Sequence, residues 1–270
     1  MILKKKYNNK IIMNNILNDF NKNGFVKIEN LFDKPFINNI IEEVENLTDV
    51  DTYRDSSGKL RRVERVYNKG KYLKKLDLVL KQKLKDIFGF NFNIFKDKYN
   101  FKPPGGEGFF CHYDGIFNFY DSNNNKKKGW YEYADYFLTV GIPMDACTEE
   151  NATLEMSQIH NLPFEKLILN TKNDGTPVLL ESVEKKLEFQ ILNLNIGDVA
   201  IFSNLAPHRS KKNNSSINRR ILFYTYVPER FGNNYEKYYF DKKDAKNKKN
   251  ARGEIISHFC STTKSLAEEN

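Results

Sequence analysis

The sequence has little that would suit a membrane span, a disulfide scaffold or several common catalytic classes. No stretch among the 270 residues approaches the roughly 18–20 apolar residues a bilayer span needs. The basic opening run MILKKKYNNKIIMNN has no apolar segment or small-residue cleavage site, so no secretory signal is expected. Three cysteines, Cys111, Cys147 and Cys260, are an odd number in no metal-like spacing. That argues against a disulfide framework and makes a reducing cytoplasm the expected compartment. There is no G-x-S-x-G nucleophile motif, and no cysteine has a catalytic histidine beside it in sequence. The glycine-rich PPGGEG precedes a strand-like run and lacks the Lys-Ser/Thr of a phosphate loop, so it reads as a turn. Glu149 and Glu150 read as loop charges rather than an acid/base pair.

Charge is unbalanced only mildly: 43 Lys+Arg against 35 Asp+Glu leave a net +8. Much of the lysine is scattered or sits in polar tracts such as KKYNNK, NNNKKKG and DKKDAKNKKN. It reads as solvated surface, so neither nucleic acid nor a membrane is expected as a partner. With 40% hydrophobic residues the chain can build a sizeable core, and its length suits one large domain.

The first third patterns as helices. Met13, Ile16, Leu17 and Phe20 follow helical spacing, and Gly24 is placed to end that helix. FVKIENLF alternates as a short strand. Asp33 reads as an N-cap with Pro35 in the first turn, followed by the stripe Ile37, Ile40, Ile41, Val44 and Leu47. Residues 50–71 are polar and basic and read as a loop. Leu73, Leu76, Leu80, Leu84 and Ile87 mark a third helix, stopped near Gly89. From about residue 92 the period changes to two. FNIFKDKYNFK, FFCHYDGIF, YFLTVGIPM, ATLEMS, FQILNLN, DVAIFS and RRILFYTYV are short strand-like runs between turn residues, which suggests an antiparallel sandwich or barrel. The expected plan is a helical layer over 10–90, a β core over about 92–230, one domain over 1–240 and a Lys-rich tail over 241–270.

The residues with chemical potential are few, because there are only four histidines. In a strand, His112 and Asp114 project from one face with Phe110, while Cys111 and Tyr113 point the other way. An imidazole and a carboxylate at that spacing offer two ligands to one divalent metal; the plainer alternative is a surface pair at a strand end. Downstream, the strand DVAIF leads through a short loop to His208, which completes a two-His, one-carboxylate set. Such a face leaves three metal positions open, as Fe(II) requires to hold a co-substrate and O₂ together. Arg219 follows eleven residues later at the start of a strand, sharing parity with Ile221 and Phe223. A guanidinium there suits the far carboxylate of a dicarboxylate co-substrate, or else a surface ion pair.

These pieces together resemble the phytanoyl-CoA dioxygenase family of Fe(II)- and 2-oxoglutarate-dependent oxygenases. The resemblance rests on His112-Tyr113-Asp114, Gly197-Asp198, Phe202, Pro207-His208, Ser210, Asn213, Ser215 and Arg219. It also takes in IFKDKYNFKPPGGEGFFCHYD, YADYFLTVGIPMDACTEENATLEMSQIH and the earlier GFVKIENLFD, and spans roughly residues 20–230. It implies an α+β, mainly β fold: a double-stranded β-helix (jelly roll, cupin-like) core with a layer of N-terminal helices. It implies Fe(II) bound by His112, Asp114 and His208, with 2-oxoglutarate and O₂ as co-substrates and Arg219 clamping the distal carboxylate. Ser210 matches a position near that carboxylate, and Trp130 an aromatic lining the co-substrate pocket; an ordinary half-buried aromatic is the alternative for Trp130. Of Lys98, Asn100 and Lys102, which share one strand face, Lys102 is the choice for contacting ligand. His160 matches a structural histidine, and His258 has no evident partner. Because Asp114 is retained, hydroxylation rather than halogenation is implied, with succinate and CO₂ as co-products.

Three departures stand out: Tyr113 where the family often has Gln, Ala152 where it often has Gly, and the inserted NNNKKK tract between Asp114 and Trp130. The run GWYEYADYFLTVGIPMDACTEENATLE is similar to the branch that hydroxylates aminoalkylphosphonates, and a basic pocket would equally suit a carboxylate or a CoA ester. The expected substrate is therefore a small, anionic molecule, handled by a monomer or homodimer. The alternatives are a zinc hydrolase using the same three ligands, which leaves Arg219 without a role, and a non-catalytic β-sandwich binding protein.

Overall fold

A computed structural model of the chain describes residues 2–54, 58–121, 123, 125–172 and 177–246. In chain order its elements begin with α1 (Ile2–Asn23), β1 (Phe25–Ile28), α2 (Lys34–Glu45), β2 (Asp51–Arg54), β3 (Leu60–Glu64) and α3 (Lys71–Phe88). Then follow β4 (Phe92–Lys102), β5 (Phe109–His112), β6 (Phe119–Tyr120), β7 (Lys126–Lys127), β8 (Leu138–Pro143) and β9 (Leu154–Met156). The chain continues with α4 (Phe164–Leu167), α5 (Glu181–Glu184), β10 (Gln190–Leu192), β11 (Val199–Ser203), β12 (His208–Ser210), β13 (Arg219–Pro228) and α6 (Tyr235–Lys246).

Local signals account for the helix ends. Gly24 adopts φ +81 and its N–H bonds the Phe20 carbonyl, which stops α1. The Asp33 carboxylate accepts from the Phe36 amide at 2.8 Å, and Pro35 occupies the first turn of α2. Gly89 closes α3 in the left-handed region. The stripe Leu73, Leu76, Leu80 and Leu84 is fully buried, each side chain contributing about 2 kcal/mol of burial.

The strands form a seven-stranded sheet, β1-β11-β8-β13-β4-β3-β2, and a four-stranded sheet, β10-β9-β12-β5, with antiparallel pairing throughout. The period-two pattern assigns the two faces of the larger sheet. Tyr99, Leu222, Tyr224, Val199 and Ile201 join the core under the helices. Ala200, Phe202, Ile221 and Phe223 face the smaller sheet and pack with its Leu154, Met156 and Leu192. This is the α+β, mainly β jelly roll with a helical layer. The space between the sheets is the site's setting.

Two expectations are corrected. Residues 50–71 are not simply a loop: β2 and β3 pair as a hairpin, and β3 continues the large sheet beside β4, with Arg62 opposite Asn100. Its polar look arises because Arg61, Arg62 and Glu64 are themselves buried. Nor does residue 241 begin a tail, since α6 runs through Lys246 with Tyr235, Tyr238, Tyr239 and Lys242 as its buried stripe. Residues 247–270, and with them His258 and Cys260, lie outside the described residues.

Asp97 on β4 ties these late and early segments together. Its side chain accepts from the amides of Arg65, Val66 and Tyr67 and from the hydroxyls of Tyr235 and Tyr239, at 2.6 to 3.1 Å. Asp97→Ala strands five buried donors and is expected to cost about 3–5 kcal/mol. Urea midpoints of the two proteins measure it, and a loss below about 1 kcal/mol would contradict this role.

Candidate metal and co-substrate site

The smaller sheet brings the distant histidines together. β5 and β12 pair antiparallel with His112 directly opposite His208, and the ring centroids lie 4.2 Å apart. Nδ1 of His112 lies 2.8 Å from the Phe110 carbonyl, and Nδ1 of His208 lies 3.0 Å from that of Ala206. A carbonyl can only accept, so each Nδ1 carries the proton and each Nε2 keeps its lone pair for a metal. Asp114 sits two residues beyond the end of β5 and still reaches the same point, with Oδ1 3.9 Å from Nε2 of His112. Ligand atoms of His112, Asp114 and His208 all lie within 4.8 Å of one another, and all three residues are buried. Thr139 of β8 donates to the other Asp114 oxygen at 3.2 Å and orients the carboxylate.

The turn after Asp114 depends on Gly115. Its φ is +78, and a Cβ there would stand 2.5 Å from the Trp130 ring. Trp130 is thereby placed behind the carboxylate, packed on Gly115 and on Phe95 and Phe137 at 5.4 Å between ring centroids. It is not among the residues that line the cleft next to the histidines.

That cleft is walled by His112, His208, Phe109, Leu154, Phe202, Ser210, Arg219 and Phe223, and by Arg62, Lys98, Asn100 and Arg209. Phe109, not Phe110, faces it. The β5–β12 register shifts between His208 and Ser210, so Phe110 and Cys111 of β5 together oppose Arg209 alone and the alternation slips by one. Cys111 and Tyr113 do turn away, into the cluster with Phe164 and Leu167. His160 bonds Tyr113 through Nδ1, far from a ligand role.

Arg219 is only 2% exposed, and its Nε has no hydrogen-bond partner among the described residues. A buried guanidinium without a carboxylate is costly unless a ligand supplies one. Its position is fixed from behind: Asn213 Nδ2 donates to the carbonyls of Lys102 and Ile217 at 3.0 and 2.8 Å, pinning the loop that enters β13. Lys102, opposite Arg219 in the β4–β13 ladder, is buried and donates to Ser210 Oγ at 2.8 Å. Lys102 and Ser210 thus form one polar unit beside Arg219. The donor set fits the implied pair of groups: three ligands for a divalent metal on one side, and a cationic, unsaturated pocket for a dicarboxylate on the other.

Arg62 is the residue that reading the sequence as a loop concealed. It lines the cleft with Lys98 and Asn100, adding to the cationic lining that Arg219 supplies. Burial and the neighbouring imidazole push His112 down to about 3, and burial also lowers His208. Burial alone would raise Asp114, but Lys98, the two histidines and Lys96 together outweigh it and hold the carboxyl below the usual range. All three groups are therefore in their ligating protonation states at neutral pH.

A family model described as phytanoyl-CoA dioxygenase (PhyH) matches residues 20–221. Among characterised relatives, a 2-aminoethylphosphonate dioxygenase from an uncultured bacterium is 33% identical over 159 residues, covering 59% of this chain and 55% of the relative. A methylphosphonate hydroxylase of Gimesia maris is 29% identical over 151 residues, covering 56% and 51%. The chain thus aligns with about half the length of each. Among solved structures, the epimerase SnoN in complex with Fe3+, alpha ketoglutarate and nogalamycin RO superposes with a TM-score of 0.63 at 12% identity, covering 81% of this chain and 84% of that one, which shows a shared fold.

The pH response of the metal-free protein tests the buried imidazole. Folded His112 stays neutral down to about 3, whereas its unfolded counterpart takes up a proton near 6.5. Stability is therefore full above the unfolded value and falls as pH drops below it, by up to about 1.4 kcal/mol per pH unit for this group. Urea midpoints across that window show the slope, and His112→Gln reduces it; a wild-type slope unchanged by the substitution would contradict the assignment.

Proposed function

The chain belongs to the phytanoyl-CoA dioxygenase family, and on that premise we propose that it is an Fe(II)- and 2-oxoglutarate-dependent hydroxylase of a small anionic molecule. The observation that carries this reading is the buried Arg219, with its unpartnered Nε, in the same cleft as the His112, Asp114 and His208 ligand set. His112 and His208 offer Nε2, Asp114 offers a carboxylate oxygen, and Arg219 receives the far carboxylate of 2-oxoglutarate with Ser210 and Lys102 alongside. When bound there, ferrous iron and 2-oxoglutarate with O₂ supply the oxidant that hydroxylates a C–H bond, with succinate and CO₂ released.

The protein's own contribution is placement and exclusion of water. Phe202, Phe223 and Leu154 make the dry wall. Lys98 lies over the Phe223 ring at 5.0 Å, and burial lowers its pKa to about 8, so it remains mostly charged at neutral pH. With Arg62 it forms the receptor for the substrate's negative group. A phosphonate, as in the names of the two relatives, satisfies this wall with its doubly charged head; a carboxylate is the next class. A zinc hydrolase would leave Arg219 buried and unpaired, so the structure adds nothing in its favour. No described helix is long and apolar enough to cross a membrane. The thiols Cys111 and Cys147 are buried and unpaired, which fits a reducing compartment such as the cytoplasm.

Succinate release from 2-oxoglutarate, followed with methylphosphonate, 2-aminoethylphosphonate and a panel of carboxylates, tests the function. Stimulation by an anion in the wild type, with the KM for 2-oxoglutarate raised at least about tenfold in Arg219→Ala, is expected. Absence of both coupled and uncoupled succinate release would overturn it.

A further inference from the structure

The substrate wall has a support that reaches across the whole molecule. Arg62 donates through Nε to Asn100 Oδ1 and through Nη1 to Glu64 Oε1, each at 3.3 Å. The same Arg62 side chain lines the cleft. Glu64 is fully buried, and its second oxygen accepts from the Tyr53 hydroxyl at 3.2 Å and from the Lys242 ammonium.

Lys242 is the unexpected member. In α6 the buried positions are Tyr235, Tyr238, Tyr239 and Lys242, the i, i+3, i+4, i+7 stripe of a helix packing on the fold. An apolar residue would satisfy packing at the fourth position. A lysine only 5% exposed is tolerated there because a carboxylate faces it. Burial would raise the Glu64 carboxyl, but Lys242, Lys96 and Arg62 together draw it down to about 2, so it stays ionised. A single carboxylate thus stands between two cations: one from the C-terminal helix and one in the cleft.

We propose that Glu64 and Lys242 are positioning residues for substrate: Lys242, delivered by α6, fixes Glu64, and Glu64 with Asn100 aims the Arg62 guanidinium at the anionic group of the substrate. This rests on the anionic-substrate reading above. The last helix is then a working part of the site although it contributes no residue to the cleft wall. Without Lys242, Glu64 is no longer held in one place, and the Arg62 guanidinium loses its fixed aim.

The test uses the whole chain loaded with Fe(II) and 2-oxoglutarate without oxygen. Calorimetry measures the affinity for methylphosphonate and inorganic phosphate, and separately for 2-oxoglutarate. Lys242→Met is expected to weaken the phosphorus oxyanion about tenfold or more while 2-oxoglutarate affinity stays within about twofold, and Lys242→Arg to restore most of the loss. Tyr235→Phe, which loosens α6 from Asp97 without touching the ion pair, should not reproduce that split. Should Lys242→Met not fold, Glu64→Gln reads the same contact with its shape retained and is expected to give the same split. Unchanged oxyanion affinity in the variant, equal loss of both ligands, or the same split in Tyr235→Phe would overturn the inference and leave the anionic-substrate reading standing. A wild type that binds neither oxyanion would overturn that reading first, and this inference with it.

Discussion

The pairing of β5 with β12 is the constraint on which the site depends. It sets two histidines 96 positions apart in sequence opposite each other in one ladder. Both are held in the same tautomer by carbonyls two residues before them. Backbone hydrogen bonds rather than side-chain flexibility therefore fix where a metal would sit. The shift in register just beyond His208 brings Phe109 and Ser210 to the cleft, so the same ladder shapes the ligand pocket. Asp114 completes the set only because the chain turns at Gly115, where Trp130 leaves no room for a side chain.

A second theme is charge in an interior position. The inner face of β4 carries Lys96, Lys98 and Lys102, with Arg62 and Arg219 on the strands beside it. The carboxylates nearest this face are Asp114 and Glu64, while buried Asp97 and Asp77 serve tyrosine hydroxyls and backbone amides elsewhere in the fold. A cleft lined by Arg62, Lys98, Arg209 and Arg219 with no carboxylate in its wall is costly when empty, and it suits the proposed binding of two anions, a dicarboxylate at Arg219 and a substrate at Arg62 and Lys98.

The parts of this arrangement that could be read from the sequence are those with a local signature. Helix caps at Asp33, Gly24 and Gly89 lie at positions that turn chemistry dictates. The alternation of β13 correctly paired Arg219 with Ile221 and Phe223. His112, Asp114 and His208 stood out because histidine is so scarce. What stayed hidden has a common cause. Periodicity reports burial through apolar residues, so Arg61, Arg62 and Glu64 made an inner strand look like a loop, and Lys242 made a packed helix look like a tail. The bulge opposite His208 leaves no mark in the sequence either, so Phe110 was expected in the cleft where Phe109 stands. Trp130, which the sequence left open between a pocket aromatic and an ordinary half-buried one, covers Gly115 and is not among the residues lining the cleft.

The central claim is that one buried cleft holds iron through His112, Asp114 and His208 and a 2-keto dicarboxylate through Arg219. The most direct measurement needs no substrate: Fe(II) and 2-oxoglutarate are added to the metal-free protein without oxygen, and the visible charge-transfer band of the keto-acid chelate is recorded. The account predicts a band in the wild type, none in His208→Ala, and one in Arg219→Ala that appears only at higher 2-oxoglutarate. No band in the wild type, with zinc bound tightly in its place, would contradict it.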